Sequence, residues 1–146
     1  MHAIATATDE ALTAARARSK GPFSEAVADL QSLEPAQVAA VHAEMVRSLL
    51  EELHPDGLTG EDVQDALTGT VRWAAEWVTE LDVAGFVEVF TGALGVADTE
   101  ERRPPPRVEH AVLIIADLLI RRKAAAEIYI RRAIAEIQRA QTIEMP

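Results

Sequence analysis

The sequence predicts an all-α protein: a single-domain bundle of about six helices, residues 1–146, with a long C-terminal helix over residues 106–141. Apolar side chains recur every three to four residues along most of the chain, and no useful length alternates as a strand would. Gly and Pro cluster between these periodic segments, where they end helices. With 146 residues, of which 49% are hydrophobic, the chain is long enough for one real core.

The first three helices are predicted from their caps and stops. Thr8 is expected to cap the first helix, which ends before the stop signal Lys20-Gly21-Pro22. The second helix is expected to begin after Ser24. Pro35 suits the first position of the third helix, because no N–H is needed there, and that helix should end in the turn His54-Pro55-Asp56-Gly57.

Two more helices follow before a proline-rich segment. Thr59 is predicted to cap the fourth helix, with acidic residues in its first turn. Asp82 is predicted to cap the fifth helix, and Gly95 to end it. Three consecutive prolines then make residues 98–106 a stiff linker. This linker would separate an acidic helical body, residues 1–97, from the C-terminal helix, residues 107–141.

The C-terminal segment has two different halves. Between Ala111 and Ile120 only Asp117 is polar, so this half should be buried on all sides, whereas the second half is amphipathic. A straight helix over 106–141 would be about 54 Å long. A compact domain of this size is about 38 Å across. The end of the helix is therefore expected to extend beyond its own domain.

An exposed amphipathic helix end needs a surface that buries it, and a second copy of the chain is the simplest one. The leading hypothesis is therefore a non-enzymatic helical protein that acts through association, as a homodimer. The candidate interface residues share the apolar face of the C-terminal segment; they are Val112, Ile115, Leu119, Ile130, Ile134 and Ile137.

Charge and composition limit the partners. Residues 1–101 carry 19 acids and 5 bases, and residues 102–146 carry 5 acids and 9 bases, within a net charge of −10. The basic segment should be attracted to the acidic body, within a chain or between subunits, and the acidic body disfavours nucleic acid. There is no secretory signal, no cysteine and no apolar run long enough to span a membrane, so we expect a cytoplasmic protein.

The first alternative is a metal-dependent nucleotide pyrophosphohydrolase of the all-α type, which would need inward-facing acids on two helices. The richest acidic region is Glu51, Glu52, Asp56, Glu61, Asp62 and Asp65. Position 55 is a proline, a third glutamate at the required spacing is missing, and acids at a helix start are explained by the helix dipole. No nucleophile, phosphate-loop or zinc motif occurs. We therefore assign no catalytic, metal-binding or cofactor-binding residue and expect no cofactor.

The second alternative is a helical sensor of small molecules. Four of the six aromatic residues lie on the two adjacent helices before the linker and could line a ligand pocket, although core packing also explains them; they are Trp73, Trp77, Phe86 and Phe90. His42 and His110 each stand alone on a helix, as packing histidines usually do.

Four phrases of the sequence resemble a set of uncharacterised actinobacterial proteins. The phrases are His54-Pro-Asp-Gly57, Phe90-Thr-Gly-Ala-Leu-Gly-Val96, Ala111-Val-Leu-Ile-Ile-Ala-Asp-Leu-Leu119 and Ile143-Glu-Met-Pro146. The resemblance covers about the last two-thirds of the chain. It implies no activity, cofactor or site residue.

Overall fold

The computed structural model describes residues 1–95 and 107–144, and these residues form seven α-helices and no strand. The helices are α1 His2–Arg16, α2 Lys20–Gln31, α3 Pro35–Leu53, α4 Gly60–Ala75, α5 Val83–Leu94, α6 Val108–Arg122 and α7 Ala126–Glu144. The all-α prediction is confirmed. The predicted linker, 98–106, lies outside the described residues. None of the seven helices is both long and apolar enough to cross a membrane.

Helix α6 is the centre of the bundle. Every residue from His110 to Leu119 is buried, and α6 packs against each of α1 to α5. The prediction that this half would be buried on all sides is confirmed up to Leu119. The carboxylate of Asp117 accepts a hydrogen bond from the Thr70 hydroxyl at 2.8 Å and forms an ion pair with the Arg121 guanidinium at 2.7 Å. A buried charge needs such partners to be tolerated.

The C-terminal segment is two helices, and the prediction of one continuous helix over 106–141 is wrong. The first of them, α6, ends at Arg122, and the next residue, Lys123, has a left-handed backbone at φ 55°. The Lys123 N–H donates to the Ile120 carbonyl at 3.2 Å, and the Ala124 N–H donates to the Leu119 carbonyl at 3.1 Å. These two bonds form a Schellman motif, which satisfies the last carbonyls of α6 and redirects the chain.

Helix α7 packs on α1 and α3 of its own chain. The Tyr129 hydroxyl donates to the carboxylate of Glu52 on α3, and the Arg132 guanidinium lies 3.1 Å from the same carboxylate. Burial and the bond to Glu52 raise the pKa of Tyr129. The expected attraction between the basic segment and the acidic body therefore occurs within the chain. The straight helix whose overhang motivated the homodimer does not form, because α7 turns back onto α1 and α3.

The N-terminal helix begins earlier than its sequence suggested. Helix α1 starts at His2, so Thr8 is an interior residue rather than a cap. The Thr8 hydroxyl lies 3.0 Å from Nε2 of His42 on α3, and both side chains are buried. Burial lowers the pKa of His42 to about 4, so its ring is neutral at neutral pH.

The prediction that the second helix begins after Ser24 is wrong, because α2 begins at Lys20 and includes Gly21 and Pro22. Three other predicted helix ends are confirmed. Helix α3 begins at Pro35. Thr59 caps α4 and forms a reciprocal capping box with Asp62. Gly95 ends α5 in a left-handed conformation at φ 70°. Asp82 precedes α5 as predicted, but its side chain makes no capping hydrogen bond.

The break at Lys123 can be tested by substitution. Lys123→Gly should raise the free energy of unfolding by up to about 1 kcal/mol, because glycine avoids most of the roughly 1–2 kcal/mol steric cost of a left-handed residue. In a continuous helix the same change would instead cost about 1 kcal/mol. Urea denaturation of the wild type, Lys123→Gly and Lys123→Ala measures the sign. A stabilised alanine variant with a destabilised glycine variant would contradict the break.

Candidate functional site

A cavity of about 360 Å³ lies between the start of α2, the connection after α4 and the start of α6. Its volume is within the range of small-molecule sites. The lining residues are Lys20, Phe23 and Ser24 from α2, residues 77–81 from the connection, and Arg107, Glu109, His110 and Leu113 at the start of α6.

Trp77 supplies the first unusual feature of this cavity. It follows α4 directly, and its side chain is buried with 7% exposure. The indole packs edge-to-face on Phe23, with ring centroids 5.3 Å apart, and on Trp73, at 5.6 Å. Its Nε1 atom is buried and makes no hydrogen bond. An indole N–H is a donor only, so nothing but an acceptor satisfies it.

His110 supplies the second feature. Its imidazole is 4% exposed and packs edge-to-face on Phe86 of α5, with ring centroids 5.0 Å apart. The ring lies directly against the α5 backbone at Gly85, where a Cβ atom would stand 2.1 Å from Cε1 of the imidazole. The Nδ1 atom of His110 is also buried without a hydrogen-bond partner.

The protonation state of His110 follows from its surroundings. Burial lowers the pKa of His110, and Arg107 lowers it further, whereas the nearby carboxylates of Glu109 and Asp82 raise it. Burial is the largest of these effects, so the net shift is downward. The ring is therefore neutral at neutral pH, and it offers one N–H donor and one nitrogen acceptor.

The start of α6 adds further donors to the cavity. Arg107 precedes the helix, and its side chain does not cap the first N–H groups of α6. Aligned peptide dipoles give this end of the helix a partial positive charge. Lys20 and Arg107 bring cationic groups to the same cavity, and Glu80 and Glu109 bring anionic ones.

Trp77 Nε1 and His110 Nδ1 are the two buried side-chain atoms in residues 1–95 and 107–144 that lack a hydrogen bond. Such an atom costs about 1–3 kcal/mol, and native proteins satisfy most of them. Both belong to residues that line one cavity. Solvent reaches neither atom, so an acceptor can enter only if neighbouring side chains or the 77–81 connection shift.

The four aromatic residues predicted for a ligand pocket do not all line one cavity in the structure. Trp77 lines the cavity, and Trp73 packs behind it, half-buried. Phe86 and Phe90 are core residues, with exposures of 0% and 2%, and they do not line it.

The sequence predicts neither Phe23 nor His110 as a pocket residue. Its pattern shows His110 only as a histidine that stands alone on a helix. No sequence signal placed either residue beside Trp77, because the three come from separate segments that only the tertiary fold brings together.

The predicted interface residues lie mainly inside the chain. Val112, Ile115 and Leu119 are fully buried and Ile130 is 5% exposed, whereas Ile134 and Ile137 are half-buried against the core. A side chain that its own domain buries cannot also form the surface of an interface.

The acidic region between Glu51 and Asp65 does not assemble a metal site in the described part of the chain, where no three His, Asp or Glu side chains converge suitably. Glu52 contacts Tyr129 and Arg132, and the carboxylate of Asp62 accepts from the Thr59 backbone N–H at 3.0 Å. These carboxylates therefore hold α7 and the start of α4.

Comparisons with known proteins add no assignment: no family model, curated protein or solved structure matches this chain. The resemblance to actinobacterial proteins stays a prediction. The function of the cavity is therefore argued from its own geometry.

The packing of His110 on Gly85 can be tested with paired glycine substitutions. Gly85→Ala should lower the free energy of unfolding by about 1–3 kcal/mol, because the new methyl group overlaps the imidazole. Gly92→Ala on the same helix meets no atom within 4 Å. It should raise the free energy of unfolding by about 0.5–1 kcal/mol. Urea denaturation of both variants decides the matter, and equal effects would show that His110 does not lie against α5.

Proposed function

We propose that this protein is a helical binding protein that holds a small molecule in the cavity between α2 and α6. The observation that carries the proposal is the pair of buried, unpartnered ring nitrogens, Trp77 Nε1 and His110 Nδ1, on residues that line one cavity. A ligand that supplies hydrogen-bonding atoms would recover the free energy that these nitrogens cost in the empty state.

The walls of the cavity suit a ligand with an apolar part. Phe23 is 8% exposed and Leu113 is 2% exposed, and both line the same cavity as Trp77. Burying apolar ligand surface against them contributes about 25 cal/mol per Å². Ligand pockets commonly combine such walls with a few polar groups that fix orientation.

The position of the cavity supports a sensor in particular. Trp77 contacts Trp73 of α4, and His110 contacts Phe86 of α5, so the lining of the cavity is packed against two helices besides α2 and α6. A ligand that draws the 77–81 connection toward α6 would therefore change the conformation of the connection between α4 and α5.

The two tryptophans allow a direct test by fluorescence. Trp73→Phe leaves Trp77 as the single reporter, and Trp77→Phe leaves Trp73. On titration with small, non-fluorescent amphipathic molecules, we expect the emission of the wild type and of Trp73→Phe to change, because the indole of Trp77 gains a hydrogen bond. The emission of Trp77→Phe should change much less. A response of equal size in Trp77→Phe, or none in Trp73→Phe, would contradict binding at this cavity.

A second proposal is association with a second copy through the groove between α1 and α7. This groove has a volume of about 540 Å³ and apolar lining from Ala5, Ile134 and Ala135. A two-fold interface must carry complementary groups on one surface. Asp9 on α1 and Arg131 on α7 border the groove, so this surface carries both signs of charge.

Association is best tested at an exposed position of the groove. Ala135→Glu places a charge in the groove without disturbing buried residues, and Ala140→Glu is the matched control on the same helix outside it. Size-exclusion chromatography with light scattering should show a dimer for the wild type and Ala140→Glu, and a monomer for Ala135→Glu. A monomeric wild type at micromolar concentration would refute the proposal.

A further inference from the structure

We propose that the cavity between α2 and α6 selects an amphipathic monoanion, a carboxylate joined to an apolar body. This inference deepens the proposed ligand binding and rests on it. It follows from the kinds of hydrogen-bonding group that the cavity presents, from the balance of its charges and from the nature of its walls.

The Trp77 indole and the start of α6 both favour an acceptor in the ligand. The Trp77 N–H can only donate, and the side chain of Arg107 does not cap the start of α6. The neutral ring of His110 can present a further N–H at Nδ1, because either tautomer is open to it. A carboxylate is an acceptor at both oxygens, so it matches this set better than an alcohol or an amine does.

The helix start is not the only indication of an anion. Trp77 lies on a different segment of the chain. It is only 7% exposed, and the single polar atom of its side chain has no hydrogen-bond partner. The Trp77 indole and the start of α6 therefore belong to two separate segments of the chain that line the same cavity. A partial positive charge at the start of α6 adds an electrostatic preference for a negative group.

The formal charges of the lining favour a ligand with one negative charge over a polyanion. Lys20 and Arg107 are offset in number by Glu80 and Glu109, and Arg107 lies 3.4 Å from Glu109. A polyphosphate would meet two carboxylates and no surplus of cations. A single carboxylate can take its hydrogen bonds from the helix start and the buried rings without displacing the pair between Arg107 and Glu109.

The remaining lining sets the nature of the ligand's body. Phe23, Leu81 and Leu113 present apolar surface beside the polar groups. A cavity of about 360 Å³ accommodates a short aliphatic or arylalkyl chain and not a large ring system.

The experiment compares acids with neutral and cationic analogues of the same shape. The probes are 3-phenylpropanoate and octanoate, their primary amides and their primary amines, titrated against the Trp73→Phe variant with fluorescence and calorimetry. We expect each acid to bind at least about tenfold more tightly than its amide, and each amine to bind most weakly. Added salt should reduce the preference for the acids.

Two charge variants separate electrostatics from general damage. Arg107→Gln should weaken acid binding by about threefold to tenfold and leave amide binding unchanged. Glu109→Gln should act in the opposite direction, because it removes a negative charge and releases Arg107. Arg139→Gln on α7 is the matched control, because Arg139 lines neither this cavity nor the groove between α1 and α7, and it should change neither affinity.

The outcomes distinguish the two levels of the proposal. Amides that bind as tightly as acids, or amines that bind more tightly, would overturn the monoanion and leave the cavity as a binding site. Binding by no probe, in either fluorescence or heat, would overturn both. An increase in acid affinity in Arg107→Gln would also overturn the monoanion.

Discussion

The burial of α6 on all sides is the constraint on which the rest of the structure depends. Five helices surround it, so each polar group that it carries must find a partner inside the protein. Near its C-terminal end Asp117 has such partners, because it accepts a hydrogen bond from Thr70 and forms an ion pair with Arg121. Near its N-terminal end His110 Nδ1 has no partner, and Trp77 Nε1, across the cavity lining, has none either.

This contrast gives the cavity its significance. Domains of this size are stable by only about 5–15 kcal/mol, and two unsatisfied buried nitrogens cost about 1–3 kcal/mol each. A core whose other buried polar side chains are bonded would gain stability from apolar replacements at these two positions. Retaining the polar rings is explained if their partners arrive with a ligand, which is why the proposed function rests on them.

Features set by local chemistry could be predicted from the sequence, and features set by tertiary contacts could not. Pro35, the Thr59 capping box and Gly95 mark helix ends through their own backbone and side-chain preferences. The break at Lys123 has no such mark, since a lysine in a left-handed conformation is held by its surroundings. The cavity could not be predicted either, because its lining comes from α2, the 77–81 connection and α6, which are separate in the sequence. Because the helix breaks at Lys123, the length of the C-terminal segment no longer argues for a dimer. The groove between α1 and α7 is what still supports the dimer proposal.

The indole N–H resonance of Trp77 tests the central claim most directly. In heteronuclear NMR spectra of the protein without ligand, the account predicts a signal protected from hydrogen exchange and upfield, as expected for a buried N–H without an acceptor. Addition of 3-phenylpropanoate should move this signal downfield, while the Trp73 signal stays nearly constant. A Trp77 signal that already has the shift of a hydrogen-bonded N–H without ligand would contradict the account, as would one that no acid displaces.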